Sequence, residues 1–317
     1  MQFTVTPKGA FNLDYTLDSG QVFRWERRGE WWYGVVNGGV LKVRQEGEVL
    51  ECESSTDRMD SAFVRHYFRL DEDIEPILVS IMRDEQTSRA VQEFHGMGLI
   101  RQDGWECLAS FVLATNSNIP RIKTMVSNVC SSFGSALEFE GREYRLFPAA
   151  STLAAAPLSR LRRCGLGYRA PYLKKVSKAV SMGRIDFAGL SRLGYEEARD
   201  LLLARLAGEK LLLGVGPKVA DCVLLFSCGK DGAFPIDVWI GRALAQRYPG
   251  LLEPRLRKKL SAKRAALSLG DYQRLSNVAR SYFGAFAGYA QQYLFMMARV
   301  EESSSSSKGS SSSGRAS

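Results

Sequence analysis

The stretch from Leu211 to Asp237, LLLGVGPKVADCVLLFSCGKDGAFPID, constrains the fold more than any other part of the chain. Gly214 and Gly216 mark a tight turn, where glycine takes the positive φ that side chains resist and lets the backbone approach another molecule. Pro217 suits the first position of a helix, because its missing N–H would be unpaired there anyway. Val219, Cys222, Val223 and Phe226 follow at three- and four-residue spacing, which predicts a helix with one apolar face. Lys218 and Cys222 share a face of that helix one turn apart. A helix start behind glycines offers unpaired N–H groups and a positive dipole end, which suits a phosphate. Such turns serve packing as readily, and the stretch alone leaves both uses open.

The chain has 317 residues, enough for a sizeable core divided among two or three subdomains. Its 43 Lys and Arg against 34 Asp and Glu give a net charge of +9, which favours an acidic partner such as nucleic acid and also aids solubility. No apolar run approaches the roughly 18 residues that span a bilayer, and no basic segment precedes an apolar one at the N-terminus. An intracellular protein without membrane contact is expected, in the cytoplasm or nucleoid of a prokaryote or the nucleus of a eukaryote. The six cysteines form no C-x-x-C pair, and reduced, buried thiols are expected. With only His66 and His95, a histidine-based zinc site or triad is disfavoured.

Along the chain, Trp31 to Val36 and Val40 to Val43 flank the hairpin turn Asn37-Gly38-Gly39, and Glu48 to Cys52 adds a third strand. After Thr56 the pattern is helical: Asp60 to Phe68, Asp73 to Met82, Gly104 to Thr115, Ile122 to Phe133, Pro171 to Met182, Tyr195 to Leu206, Trp239 to Tyr248 and Asp271 to Val300. The fold class is therefore α+β, an N-terminal antiparallel sheet followed by a mostly helical remainder. The basic run Arg255 to Arg264 reads as a solvated helix face before a contact surface. Ser303 to Ser317 is Ser/Gly-rich and expected to be disordered.

Five separated segments, in order, resemble the signatures of the 8-oxoguanine DNA glycosylase/AP lyase family within the helix-hairpin-helix superfamily. They are Ser19-Gly20-Gln21-Val22-Phe23-Arg24-Trp25, Asn116-Ser117-Asn118-Ile119-Pro120-Arg121, Gly165-Leu166-Gly167-Tyr168-Arg169-Ala170, the opening stretch, and Gly288-Tyr289-Ala290-Gln291 with Leu294-Phe295. The resemblance implies a β-rich domain over 1–100, a helical glycosylase domain of two subdomains over 101–300 whose last helix packs back on the first domain, and a tail over 301–317.

It also implies residue roles. Lys218 would attack C1′ of the damaged nucleotide and Asp237 would stabilise the charge that develops on the sugar. Lysine capture forms a Schiff base and opens β-elimination, so a bifunctional glycosylase/AP lyase is expected. The Gly20 carbonyl would read the N7 hydrogen that 8-oxoguanine has and guanine lacks. Cys222 and Phe295 would sandwich the flipped base while Gln291 reads its Watson–Crick edge. Asn116, Arg121 and Arg169 would contact the orphaned cytosine, and Tyr168 would wedge the duplex. Gly214 and Gly216 would bring backbone N–H groups to a phosphate, with a monovalent cation, Na+ or K+, on the carbonyls of Lys210, Leu212 and Val215. No further cofactor and no iron–sulfur cluster is implied; the partner is damaged duplex DNA, bound by a monomer. Trp239 departs from the pattern, standing where animal members place a histidine near the DNA backbone. Two alternatives are a glycosylase of the same fold acting on another oxidised or alkylated base, and a non-catalytic helix-hairpin-helix DNA-binding protein.

Overall fold

The computed structural model describes residues 1–206, 209–210, 212–262 and 267–311, with the backbone alone at 205–206, 209–210 and 303–311. Contacts divide the chain into two units, one of Met1–Glu75 with Gly96–Lys230 and one of Pro76–His95 with Asp231–Ser317. The sheet shares its unit with most of the helices, whereas the helix Glu85–Glu93 joins the C-terminal part because the last helix packs on it.

The first unit is built on an antiparallel five-stranded sheet in the order β1-β5-β4-β3-β2, with β1 Gln2–Val5, β2 Trp25–Arg28, β3 Trp31–Val36, β4 Gly39–Glu46 and β5 Val49–Ser54. The β3–β4 hairpin turns at Asn37 and Gly38, whose φ values of 46° and 76° match the right-handed strand twist. The expected strands are all present, with β1 and β2 as the two edge strands of four residues each. A second hairpin, Ala136–Phe139 with Arg142–Arg145, escaped the sequence reading, since charged residues interrupt its short apolar pattern.

Trp25 shows how the sheet closes on its helices. It pairs with Gly34 across β2 and β3, and its indole N–H donates to the Tyr67 hydroxyl at 3.0 Å. A Cβ at Gly34 would lie 2.4 Å from the indole ring, so the glycine makes room for the tryptophan. Gly34→Ala is expected to destabilise the fold by about 1–3 kcal/mol through overpacking. A thermal midpoint equal to wild type would contradict this.

In the second unit Asp84 caps the helix Glu85–Glu93 and accepts hydrogen bonds from the hydroxyls of Tyr248 at 3.2 Å and Tyr282 at 3.0 Å. One carboxylate thus ties together three helical segments. Phe234 stacks on Phe283 at 5.6 Å, and Tyr289 and Tyr293 of the same unit are fully buried. The final helix, Ala287–Ser311, carries helical backbone into the serine-rich stretch expected to be disordered. Serine is a tolerable helix former once a docked segment has supplied the nucleus. Residues 312–317, the rest of that stretch, lie outside the described residues.

Candidate active site

The opening stretch folds as its punctuation requires, except that the two glycines differ. Gly214 has φ 86°, and a Cβ there would meet the Tyr172 side chain at 2.8 Å, so conformation and packing both demand glycine. Gly216 has extended backbone, φ −101° and ψ 179°, and serves as N-cap of the helix Pro217–Ser227 without a side-chain cap. The positive φ expected of it is absent. Nothing within 4 Å would touch a Cβ at Gly216, which leaves open space beside the uncapped helix start. Leu211, the first residue of the stretch, lies outside the described residues.

On that helix Lys218 is half-buried, with Nζ 4.8 Å from the centroid of the Phe111 ring, and Cys222 is 2 % exposed. Between them Asp221 is fully buried. It accepts from Arg199 Nε at 3.0 Å and the Tyr195 hydroxyl at 2.8 Å, joining the helix Tyr195–Leu203 to the helix that carries Lys218. The sequence reading passed over this pair. An acid inside an otherwise apolar run was the available signal, since a buried carboxylate needs a cation. Burial pushes the Cys107 thiol well above its ordinary range, an effect its neighbours Cys222 and Cys228 reinforce.

Gly20 has φ 81°, and the residue that fixes it is Gln21, which is fully buried. The Gln21 amide donates to Thr16 O at 3.1 Å, Ser19 Oγ at 2.9 Å and Gly98 O at 2.9 Å, and its Oε1 accepts from Ile100 N at 2.7 Å. Arg24 of the same motif pairs with Glu106 at 3.0 Å; burial nevertheless pushes that carboxyl up. Most of the motif therefore holds the Gly20 backbone in place.

Asn116, Tyr168 and Arg169 meet in the first unit. Asn116 is exposed with φ 48°. Gly165 and Gly167, at φ 80° and 54°, bend the chain so that Tyr168 stands 48 % exposed. Its hydroxyl donates to Thr115 O at 3.1 Å, and the Arg169 guanidinium lies over its ring at 4.5 Å. Arg121 sits exposed in the first turn of the helix Ile119–Phe133, which Asn118 caps.

Arg169 does not project outward as the resemblance implied. It is 2 % exposed and donates from Nε to Thr115 O and from Nη2 to Asn116 O, both at 2.9 Å. It clasps the loop that presents Asn116. Arg169→Ala is expected to lower stability by about 1.5–3 kcal/mol, the scale of charge-assisted hydrogen bonds. A change within about 0.5 kcal/mol in chemical denaturation, the scale of a surface substitution, would contradict the clasp.

Asp237, Gln291 and Phe295 belong to the second unit. Asp237 is the N-cap of the helix Val238–Arg247, its Oδ1 accepting from Ile240 N at 2.9 Å. The preceding turn is pinned by Ile236 N, which donates to the Tyr272 hydroxyl at 3.0 Å. Gln291 is 4 % exposed, and its buried Oε1 has no hydrogen-bond partner among the described residues. Phe295, one turn on along the final helix, is half-buried, whereas Leu294 and Met297 are at most 1 % exposed.

The model of the 8-oxoguanine DNA glycosylase N-terminal domain matches residues 4–108. The N-glycosylase/DNA lyase of Saccharomyces cerevisiae is 30 % identical over 325 residues, covering 91 % of this chain and 83 % of the yeast protein. This chain belongs to the 8-oxoguanine DNA glycosylase family. A probable N-glycosylase/DNA lyase of Methanothermobacter thermautotrophicus, 29 % identical, covers 92 % of the chain and 95 % of its own length. Among solved structures, the Clostridium acetobutylicum 8-oxoguanine glycosylase/lyase, in complex with duplex DNA containing cytosine opposite 8-oxoguanine, superposes with a TM-score of 0.80 at 29 % identity. That alignment covers 95 % of this chain and 98 % of the other. The α+β class expected for a family member is the class observed. No helix among the described residues is long and apolar enough to cross a membrane.

Proposed function

We propose that this enzyme, a DNA N-glycosylase and AP lyase by its family, excises 8-oxoguanine opposite cytosine and then cleaves the strand by β-elimination. The buried, donorless Oε1 of Gln291 carries the reading, because a flipped purine edge would supply the donor it lacks. Phe295, on the same helix face, stacks on the base, and Cys222 covers its other side. The Gly20 carbonyl, on backbone that Gln21 anchors, accepts from the N7 hydrogen of the oxidised base and repels the lone pair of guanine.

In the chemical steps the Lys218 amine attacks C1′ as the base departs, while the Asp237 carboxylate stabilises the positive charge on the sugar. The resulting Schiff base acidifies C2′, and loss of that proton expels the 3′ phosphate. Tyr168 wedges the duplex, and Asn116 and Arg121 meet the orphaned cytosine. Arg169 joins them once DNA replaces its grip on the loop. The uncapped start of Pro217–Ser227 receives a phosphate. The carbonyls of Lys210, Leu212 and Val215 are neutral oxygens, which fits Na+ or K+ and not a softer transition metal; a cation there would anchor that phosphate. The enzyme acts as a monomer on duplex DNA.

Excision from duplexes bearing 8-oxoguanine, guanine or 3-methyladenine opposite each of the four bases tests this assignment. Release should be fastest for 8-oxoguanine opposite cytosine. Equal release opposite adenine, or preference for the alkylated base, would contradict the proposed specificity.

A further inference from the structure

We propose that Phe111 is a positioning residue for Lys218: the face of its ring seats the terminal nitrogen of the lysine and holds it, charged, until a nucleotide arrives. The inference rests on Lys218 being the nucleophile. Nζ lies 4.8 Å from the ring centroid, within the roughly 6 Å over which an aromatic quadrupole attracts a cation.

The ring is fixed from several sides. Phe111 is 3 % exposed in the helix Gly104–Leu113, which packs on Pro217–Ser227. It stacks on Phe226 at 5.5 Å and 16°, and Phe23 meets it edge-on at 5.6 Å and 72°. Phe226 lies two turns beyond Lys218 on the same helix, and Phe23 lies three residues beyond Gly20. The segment assigned to read the base and the helix that carries the nucleophile therefore brace one ring.

On the packed elements Glu106 pairs with Arg24, Asp221 with Arg199, and Asp186 with Arg192. Burial keeps the Cys107 thiol neutral, and Glu196, Glu197 and Asp200 are exposed on their helix. A ring face favours the ammonium over the amine, so Phe111 opposes the proton loss that attack requires. Its part ends before the bond to C1′ forms.

The test is single-turnover borohydride trapping across pH, in the full chain, with Phe111 replaced by mono-, di- and trifluorophenylalanine. These rings keep nearly the same shape while their quadrupole weakens. The acid limb of the rate profile should move stepwise to lower pH, reaching about tenfold faster trapping on that limb for the trifluoro ring. Phe111→Leu should move it as far, and Phe111→Tyr should restore the wild-type limb. The fluorinated series decides the matter if the leucine variant misfolds. A limb that stays put across the series, with Lys218→Gln inactive in trapping, would overturn the role of Phe111 alone. Trapping that persists in Lys218→Gln would overturn the assignment of the nucleophile and this inference with it.

Discussion

Lys218→Gln is expected to abolish strand cleavage and to slow base release by at least about 10³-fold, the scale of losing a covalent nucleophile. The fold should survive. Lys218 is half-buried in the first turn of its helix, and glutamine is nearly as good a helix former. The attraction to the Phe111 ring, about 0.5–1 kcal/mol at a partly exposed site, is among the interactions lost. Chromatography of the released base and gel analysis of the strand separate the two activities. Residual base release without nicking would show that Asp237 and the binding pocket still act in the variant. Wild-type cleavage would remove Lys218 from the mechanism.

Asp237→Asn is the second large effect, and its value is that it divides chemistry from folding. The Asp237 Oδ1 caps the helix Val238–Arg247 through Ile240 N, and asparagine caps as well as aspartate. Stability should therefore stay within about 0.5 kcal/mol of wild type. The negative charge facing the developing positive charge is gone, and single-turnover excision should fall by about 10²–10³-fold, the scale of losing one electrostatic stabiliser. Asp237→Ala should lose activity to a similar degree and about 1 kcal/mol of stability besides, because the cap goes too. An asparagine variant that excises normally would leave the aspartate as a cap and nothing more.

The residues proposed to act on the sugar were legible through the family resemblance, because the stretch alone, a lysine behind a glycine turn and an aspartate two residues after a proline, leaves phosphate binding and packing both open. The residues that hold them were harder to see. Gln21 and Trp25 sit in a segment that resembles a functional signature, yet each is occupied with the fold, one bridging Ser19 to Ile100 and one filling the space that Gly34 leaves. Asp221 and Arg199 are 22 positions apart, and only the folded chain brings them to 3.0 Å.

Arg169 shows the opposite limit. Its motif implied a cation that reaches the orphaned cytosine, and in the structure its Nε and Nη2 donate to the carbonyls of Thr115 and Asn116. Phe111 looked like one more apolar residue at helical spacing. Nothing in its sequence context marks the ring as the neighbour of a lysine more than a hundred positions away.

The central claim is that one lysine makes the covalent link to the damaged nucleotide. The most direct measurement reduces the wild-type enzyme with borohydride on an 8-oxoguanine duplex, digests the adduct with protease, and locates the sugar-bearing peptide by mass spectrometry. The sugar should be found on Lys218, within the segment Gly216 to Phe226. A modified residue elsewhere, or base release without any trapped peptide, would contradict the account.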